Sequence, residues 1–222
     1  MTFQVLKSKN SLCIKHDNHH LPNITNVENA LTYINKNISK PLNLDIVAKQ
    51  IFISPTYLSR IFKYDLNINF IDYINISKIN LAQEKLIQTD IPIIELSNEL
   101  GFAQASYFTK LFKRWVHVTP SEYRQKNKNI KSIYTIFRSG LWSHNMSVFE
   151  ISKRYFANHN IPIKIRKVDS NNYICSINNL ENKPNHNSGW IYTVDCLQPT
   201  VFSNKLKVNN KSVIQWMYIN NH

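Results

Sequence analysis

Glycine is almost absent, with three residues in 222. Phosphate-cradling loops and dinucleotide turns need several glycines at fixed spacing, because only a backbone without Cβ approaches a phosphate closely. A nucleotide-binding enzyme is therefore not expected. Cysteine is equally sparse: Cys13, Cys175 and Cys196 form neither a paired framework nor a zinc quartet. That usage fits a reducing compartment and points to a cytoplasmic protein. No apolar run approaches the roughly 20 residues that cross a bilayer, and the opening Met-Thr-Phe-Gln-Val-Leu-Lys lacks a signal-peptide core, so no membrane partner is expected. No Ser-His-Asp ordering is present. The chain is read as a non-enzyme, with no cofactor and no metal site. Acid is also short, 14 Asp and Glu against 27 Lys and Arg, for a formal net charge of +13. A basic chain of this size commonly meets a polyanion, although simple solubility produces the same sign.

Position matters more than totals. Residues 26–124 carry 11 bases and 9 acids, residues 125–138 carry Lys126, Lys128, Lys131 and Arg138 with no acid, and residues 139–222 add 9 bases against 4 acids. Hydrophobic residues make up 43% of the chain, enough to bury real cores. Three segments follow. Residues 1–24 are polar and include Lys15-His16-Asp17-Asn18-His19-His20; without helical spacing or a carboxylate pair this run reads as an exposed arm rather than a metal site. Residues 25–128 read as nearly continuous helix, with apolar residues at spacings of three and four (Val27, Ala30, Leu31, Ile34; Leu44, Val47, Ala48, Ile51). Breaks at Pro41, Pro55, Pro92 and Pro120 mark helix starts, where a missing N–H costs nothing, and Thr119-Pro120-Ser121-Glu122 is a capping box. Residues 129–222 change to runs rich in Ile, Val and Tyr over 132–137, 162–168, 173–177, 190–194 and 213–218, with one amphipathic helix near 147–156. They read as a separate small α+β domain.

The helical segment repeats itself. Tyr57-Leu-Ser-Arg-Ile-Phe-Lys63 recurs as Tyr107-Phe-Thr-Lys-Leu-Phe-Lys113, and each follows a short helix and a tight turn. Helix, turn, helix is the arrangement whose second helix enters the major groove of DNA. Leu58, Ile61 and Phe62, like Phe108, Leu111 and Phe112, share a packing face. The opposite faces carry Thr56, Ser59, Arg60 and Lys63, and Gln104, Ser106, Thr109, Lys110 and Lys113. Arginine reaches guanine O6 and N7 with two bonds, while Ser and Thr suit several bases. A merely solvated charged face is the competing reading of each helix alone. Ser54, Thr119 and the amides after them are candidate phosphate anchors at helix starts, with Lys126 and Lys128 following the last helix.

The strings Ser-Pro-Thr-Tyr-Leu-Ser-Arg-Ile-Phe-Lys, Gly-Phe-Ala-Gln-Ala-Ser-Tyr-Phe-Thr-Lys-Leu-Phe-Lys and Val-Thr-Pro-Ser-Glu-Tyr-Arg resemble the AraC/XylS family DNA-binding domain over residues 26–125. That resemblance implies two helix-turn-helix subdomains joined by a long helix, here about residues 70–88. It implies double-stranded DNA as partner, read in two successive major-groove segments by a transcription regulator, and it leans toward an activator that meets RNA polymerase. The family often has glycine at Phe52, Asn67 and His117, and arginine at Lys78, so the turns at Phe52 and His117 are expected to bend differently. Ala105 replaces a common polar base-reader.

Residues 131–219 resemble a β-grasp-like domain related to the C-terminal domain of transcobalamin. Family members often show Asn-Gly after the Trp-x-Tyr strand, where Asp195-Cys196 stand here. The resemblance makes Trp190, Tyr192, Trp216 and Tyr218 candidates for an aromatic platform that holds a small-molecule effector; a core role or a protein contact are the other readings. The alternative for the whole chain is an architectural DNA binder whose C-terminal domain is a protein-interaction scaffold.

Overall fold

The computed structural model describes residues 20–140 and 142–220, with side chains from residue 25 onward. The expected arm over 1–24 and its histidine run lie outside the described residues, except that the first helix already starts at His20. Seven helices follow the proline and Asx punctuation: α1 His20–Lys36, α2 Leu44–Gln50, α3 Pro55–Tyr64, α4 Phe70–Gln88, α5 Ile93–Glu99, α6 Ala105–Val116 and α7 Pro120–Lys126. Asn43, Ser54, Asn69 and Thr119 cap four of them, each side chain accepting a bond from a first-turn amide. Such a bond satisfies one of the orphan donors at a helix start.

Two small cores result. Leu58, Ile61 and Phe62 of α3 meet Leu31 and Ile34 of α1 and Val47 and Ala48 of α2. Phe108, Leu111 and Phe112 of α6 meet Leu96 and Leu100 and the far half of α4. Each large apolar side chain so buried contributes about 1.5–3 kcal/mol, which holds the second helix of each pair rigid from behind. The repeat extends to the backbone. Asn67 and His117 follow α3 and α6 with φ of 52° and 66°, Asn69 and Thr119 cap the next helices, and Tyr73 and Tyr123 are buried one turn into them.

The rest is an α+β unit. Its strands are β1 Ile130–Phe137, β2 Ile163–Val168, β3 Asn171–Ile177, β4 Leu180–Glu181, β5 Gly189–Val194 and β6 Val213–Ile219, with one helix, α8 Val148–Asn158. They form two antiparallel sheets, ordered β1-β6-β5 and β2-β3-β4. Ile214, Trp216 and Tyr218 point to a core with Ile136, Val148, Ile151 and Phe156.

The unit packs directly against the helical half. The other face of β6 lies on α4. Gln215 Nε2 donates to Asn80 O at 2.8 Å, and Thr135 Oγ1 donates to Glu84 Oε2 at 2.5 Å. Ile130, Ile133 and Met217 close around Ile87. Helix α4 is thus covered on all sides, by both helix-turn-helix cores and by the sheet. Its polar residues Ser77, Asn80 and Gln83 are buried; at spacings of three they resemble a solvated stripe in sequence. Strand β6 is buried on both faces for the same reason.

Candidate nucleic-acid interface

Helices α3 and α6 turn their hydroxyl-and-cation faces outward. Thr56, Ser59, Arg60 and Lys63 are exposed on α3, and Gln104, Ser106, Lys110 and Lys113 on α6. Their N-termini share a second property. Among the described helices, α2, α4, α5, α7 and α8 each carry an acid in the first turn (Asp45, Asp72, Glu95, Glu122, Glu150), whereas α1, α3 and α6 carry none. A helix start attracts anions through its free N–H groups and dipole, and a first-turn carboxylate cancels that attraction. The attraction therefore stays intact at the starts of α3 and α6.

The individual residues are not equivalent. Arg60 Cζ lies over the Tyr57 ring at 5.1 Å, a cation–π contact that restricts where the guanidinium can go. Ser54 accepts from Tyr57 N at 3.2 Å and remains exposed. Thr109 is half-buried, and its hydroxyl donates to Ala105 O at 2.9 Å, so its proton is committed to the helix and only a lone pair remains to offer.

Thr119 does not suit its expected role as a phosphate anchor. Its amide donates to Glu122 Oε2 at 2.8 Å and its hydroxyl to the same oxygen at 2.9 Å. The helix start is occupied by a carboxylate, whose pKa those bonds hold below the usual range, and a phosphate there would meet like charge. Lys126 and Lys128 are exposed at the end of α7 and just beyond it.

The four aromatics expected as a platform are not displayed as one. Trp190, Trp216 and Tyr218 are buried, and every polar tip has a partner. Trp190 Nε1 donates to Leu180 O, Trp216 Nε1 to Ser152 Oγ, and Tyr218 OH to Glu181 O, each at 2.8 Å; Tyr192 OH donates to Val201 O at 2.5 Å. Edge-to-face and tilted ring contacts at 5.4 Å tie Trp190 to Tyr218 and Tyr192 to Trp216. Alternation along a strand shows which residues share a face; it does not show whether helix α8 and the second sheet cover that face.

Sequence reading missed the seam between the two helix-turn-helix units. Lys78 Nζ, on α4, donates to Lys40 O at 3.0 Å, in the loop before α2, and to Leu100 O at 2.6 Å, at the end of α5. It lies over the Phe102 ring at 5.1 Å. No carboxylate bonds to it, and burial pulls its pKa down to about 8. Beside it, Gly101 presses on the same loop: a Cβ there would lie 2.8 Å from Lys40 C and 2.9 Å from Pro41 N. The signal available in sequence was the lysine in the middle of an otherwise apolar helix stretch, Ile76-Ser-Lys-Ile79.

Comparison with known proteins agrees with this geometry. A family model described as a helix-turn-helix domain matches residues 47–126. The regulatory protein SoxS of Escherichia coli K12 is 33% identical over 100 residues, 45% of this chain and 94% of SoxS. The chain belongs to the AraC/XylS family. The regulatory protein PocR of Salmonella typhimurium is 38% identical over 109 residues, which is 49% of this chain but only 36% of PocR. Among solved structures, the C-terminal domain of AraT, a response regulator from Geobacillus stearothermophilus, is 35% identical, covers 47% of this chain and 85% of that one, and has a TM-score of 0.44. A second family model, a domain of unknown function (DUF4430), matches residues 147–220, leaving β1 outside the match although β1 pairs with β6 along its length.

The departures from AraC/XylS glycines do not bend the turns. Phe52 and His117 adopt left-handed φ of 58° and 66° despite their side chains, at a cost of about 1–2 kcal/mol each. Asp195 and Cys196 do the same at the end of β5, with φ of 50° and 68°. Val194 and Leu197 exchange two backbone bonds around them, as a two-residue hairpin turn requires. The Cys196 side chain has a use there: Asn80 Nδ2 of α4 donates to its Sγ at 3.3 Å.

Proposed function

We propose that the chain is a sequence-specific DNA-binding transcription regulator, of the activating kind, that reads two successive major-groove segments with α3 and α6. The observation that carries this is the pairing of two properties on those two helices: an outward hydroxyl-and-cation face and an acid-free N-terminus. Arg60 and Ser59 read bases in the first segment. Gln104, Ser106 and Lys110 face the second, where the committed Thr109 and the short Ala105 leave a looser preference. Lys63, Lys113, Lys126 and Lys128 meet phosphates, which position the protein without carrying sequence information. RNA polymerase is the protein partner this reading implies, and a small effector acts through the C-terminal half. The β-grasp kinship of that half belongs to the same proposal.

Selection of bound sequences from random DNA by the intact chain tests the reading. The expected product is an asymmetric site with two conserved segments centred about 10 base pairs apart, bound with affinity that falls steeply with salt. Retention of DNA without any enriched motif would overturn it in favour of an architectural binder.

A further inference from the structure

A cavity of about 510 Å³ opens where α1, the turn between α3 and α4, and the segment following β1 meet. That volume suits a small molecule. Its buried lining is Val27, Leu31, Leu66 and Trp142, together with the buried Arg138. Its exposed lining carries two carboxylates, Glu28 from α1 and Asp65 from the end of α3. Neither forms a salt bridge among the described residues. Asp65 is also the C-cap of α3, so the negative end of that helix dipole faces the same space.

Two further features bear on the charge of the site. Gly140 has an ordinary negative-side backbone, yet a Cβ there would lie 2.4 Å from Glu28 Oε1. The flexible end of the Glu28 side chain thus lies against Gly140 across the junction between the halves. Arg138, the cation in the lining, is turned to another task. Its Nη1 donates to Val208 O and Asn209 O at 3.1 Å and to Lys211 O at 2.7 Å, and its guanidinium lies over Trp142 at 5.7 Å. Those bonds go to neutral carbonyls, so the guanidinium keeps its charge; the acidic groups open to a guest are the two exposed carboxylates, beside the exposed His144.

We propose that this cavity binds a small organic cation, an amine or amidine carried on an apolar body, with the charge between Glu28 and Asp65 and the body against Leu31, Leu66 and Trp142. An anionic guest would meet both carboxylates and the helix C-terminus. The guest touches α1 and the end of α3 on one side and the C-terminal half on the other, so its binding fixes how the first recognition helix sits against that half. This last step rests on the DNA-reading function; the binding itself does not.

The test uses the full chain without DNA, with tryptamine as probe and tryptophol, which carries a hydroxyl in place of the ammonium, as the neutral control. Calorimetry and thermal melting should show tryptamine binding and stabilising the chain, with tryptophol clearly weaker. The double variant Glu28→Gln/Asp65→Asn should melt like the parent without ligand and bind tryptamine about tenfold more weakly. The site is overturned if tryptamine does not bind, if tryptophol binds as well, or if the double variant binds tryptamine unchanged. Footprinting with and without tryptamine then tests the coupling. Altered protection over the first segment supports it, and an identical footprint at saturating tryptamine overturns it. Failure of the random-DNA selection would remove the regulator reading while leaving the DNA-free binding result intact.

Discussion

The two helix-turn-helix units share one backbone plan but spend strain and side chains differently. At the turn before each recognition helix the chain takes a left-handed residue. In the first unit it is Phe52, 93% exposed; in the second it is Gly101, pressed on the Lys40–Pro41 backbone. The first recognition helix carries a serine cap and an arginine over a tyrosine ring. The second has no side-chain cap bond and a threonine whose proton is spent internally. The second unit is therefore fitted by close backbone contact to the loop before α2 and to the rest of the domain, while the first accepts strain at an exposed ring. Equal backbone geometry does not imply equal roles.

Gly101→Ala should break this comparison hardest. It adds a left-handed strain of about 1 kcal/mol and an overpacking cost of about 1–3 kcal/mol, for a loss of about 2–4 kcal/mol in denaturant unfolding. An unfolding midpoint unchanged from the parent would show that the seam yields freely and that the units are not locked together.

Next in size comes the difference between reader and anchor. Arg60→Ala should cost about 1–3 kcal/mol of binding and relax preference at one base pair. Lys113→Ala should weaken all sequences alike and reduce the salt slope by about one phosphate contact. Quantitative binding to a panel of single-base variants separates the two, and a base-specific loss from Lys113→Ala would reverse the assignment.

Phe52→Gly should raise stability slightly. Relief of left-handed strain outweighs the added backbone entropy of glycine, for a gain of about 0.5–1 kcal/mol read as a higher melting temperature. If the variant is less stable, Phe52 has a partner that its exposure conceals. The same variant assayed on DNA shows whether the exposed ring serves binding, since a more stable protein that binds less well would mean the strain is kept for function.

The contrast also explains what could be read from the sequence. The repeated Tyr-x-x-x-x-Phe-Lys string, the prolines and the capping residues fixed the helices and the outward faces, because a recognition helix needs only local periodicity and a core behind it. Strands 213–218 and 190–194 were equally plain in their Val, Ile and aromatic content. What a strand pattern does not encode is the layer above it. Trp216 and Tyr218 lie under α8 and the second sheet, and Gln215 beside Trp216 meets α4, 135 residues away in sequence. The buried polar row Ser77, Asn80, Gln83 and the Thr119–Glu122 bond pair depend on such long-range or mutual contacts. So does the Glu28 carboxylate against Gly140, which no spacing announces.

Lys78 supplies the subtlest test, because it is the group that touches both units. Its folded pKa is about 8 against 10.5 in an unfolded chain. Below pH 8 both states hold the proton and the folded protein bears the full cost of a buried charge. Above pH 8 the folded state releases the proton first, the unfolded chain holds more protons, and stability rises with pH. The released amine still has hydrogens for Lys40 O and Leu100 O. The rise is cleanest between pH 8 and 9. Beyond it the opposite sign enters: burial pushes the Cys196 thiol up from 9.0 and the Tyr73 and Tyr123 phenols up from 10.0, so an unfolded chain that ionises these groups gains on the folded one. Subtracting the Lys78→Met profile from the parent profile removes those groups from the comparison. The difference should climb from pH 8 toward 10.5 in denaturant titrations. A flat difference would mean that the ammonium is solvated in place, and that Gly101's contact alone holds the two units together.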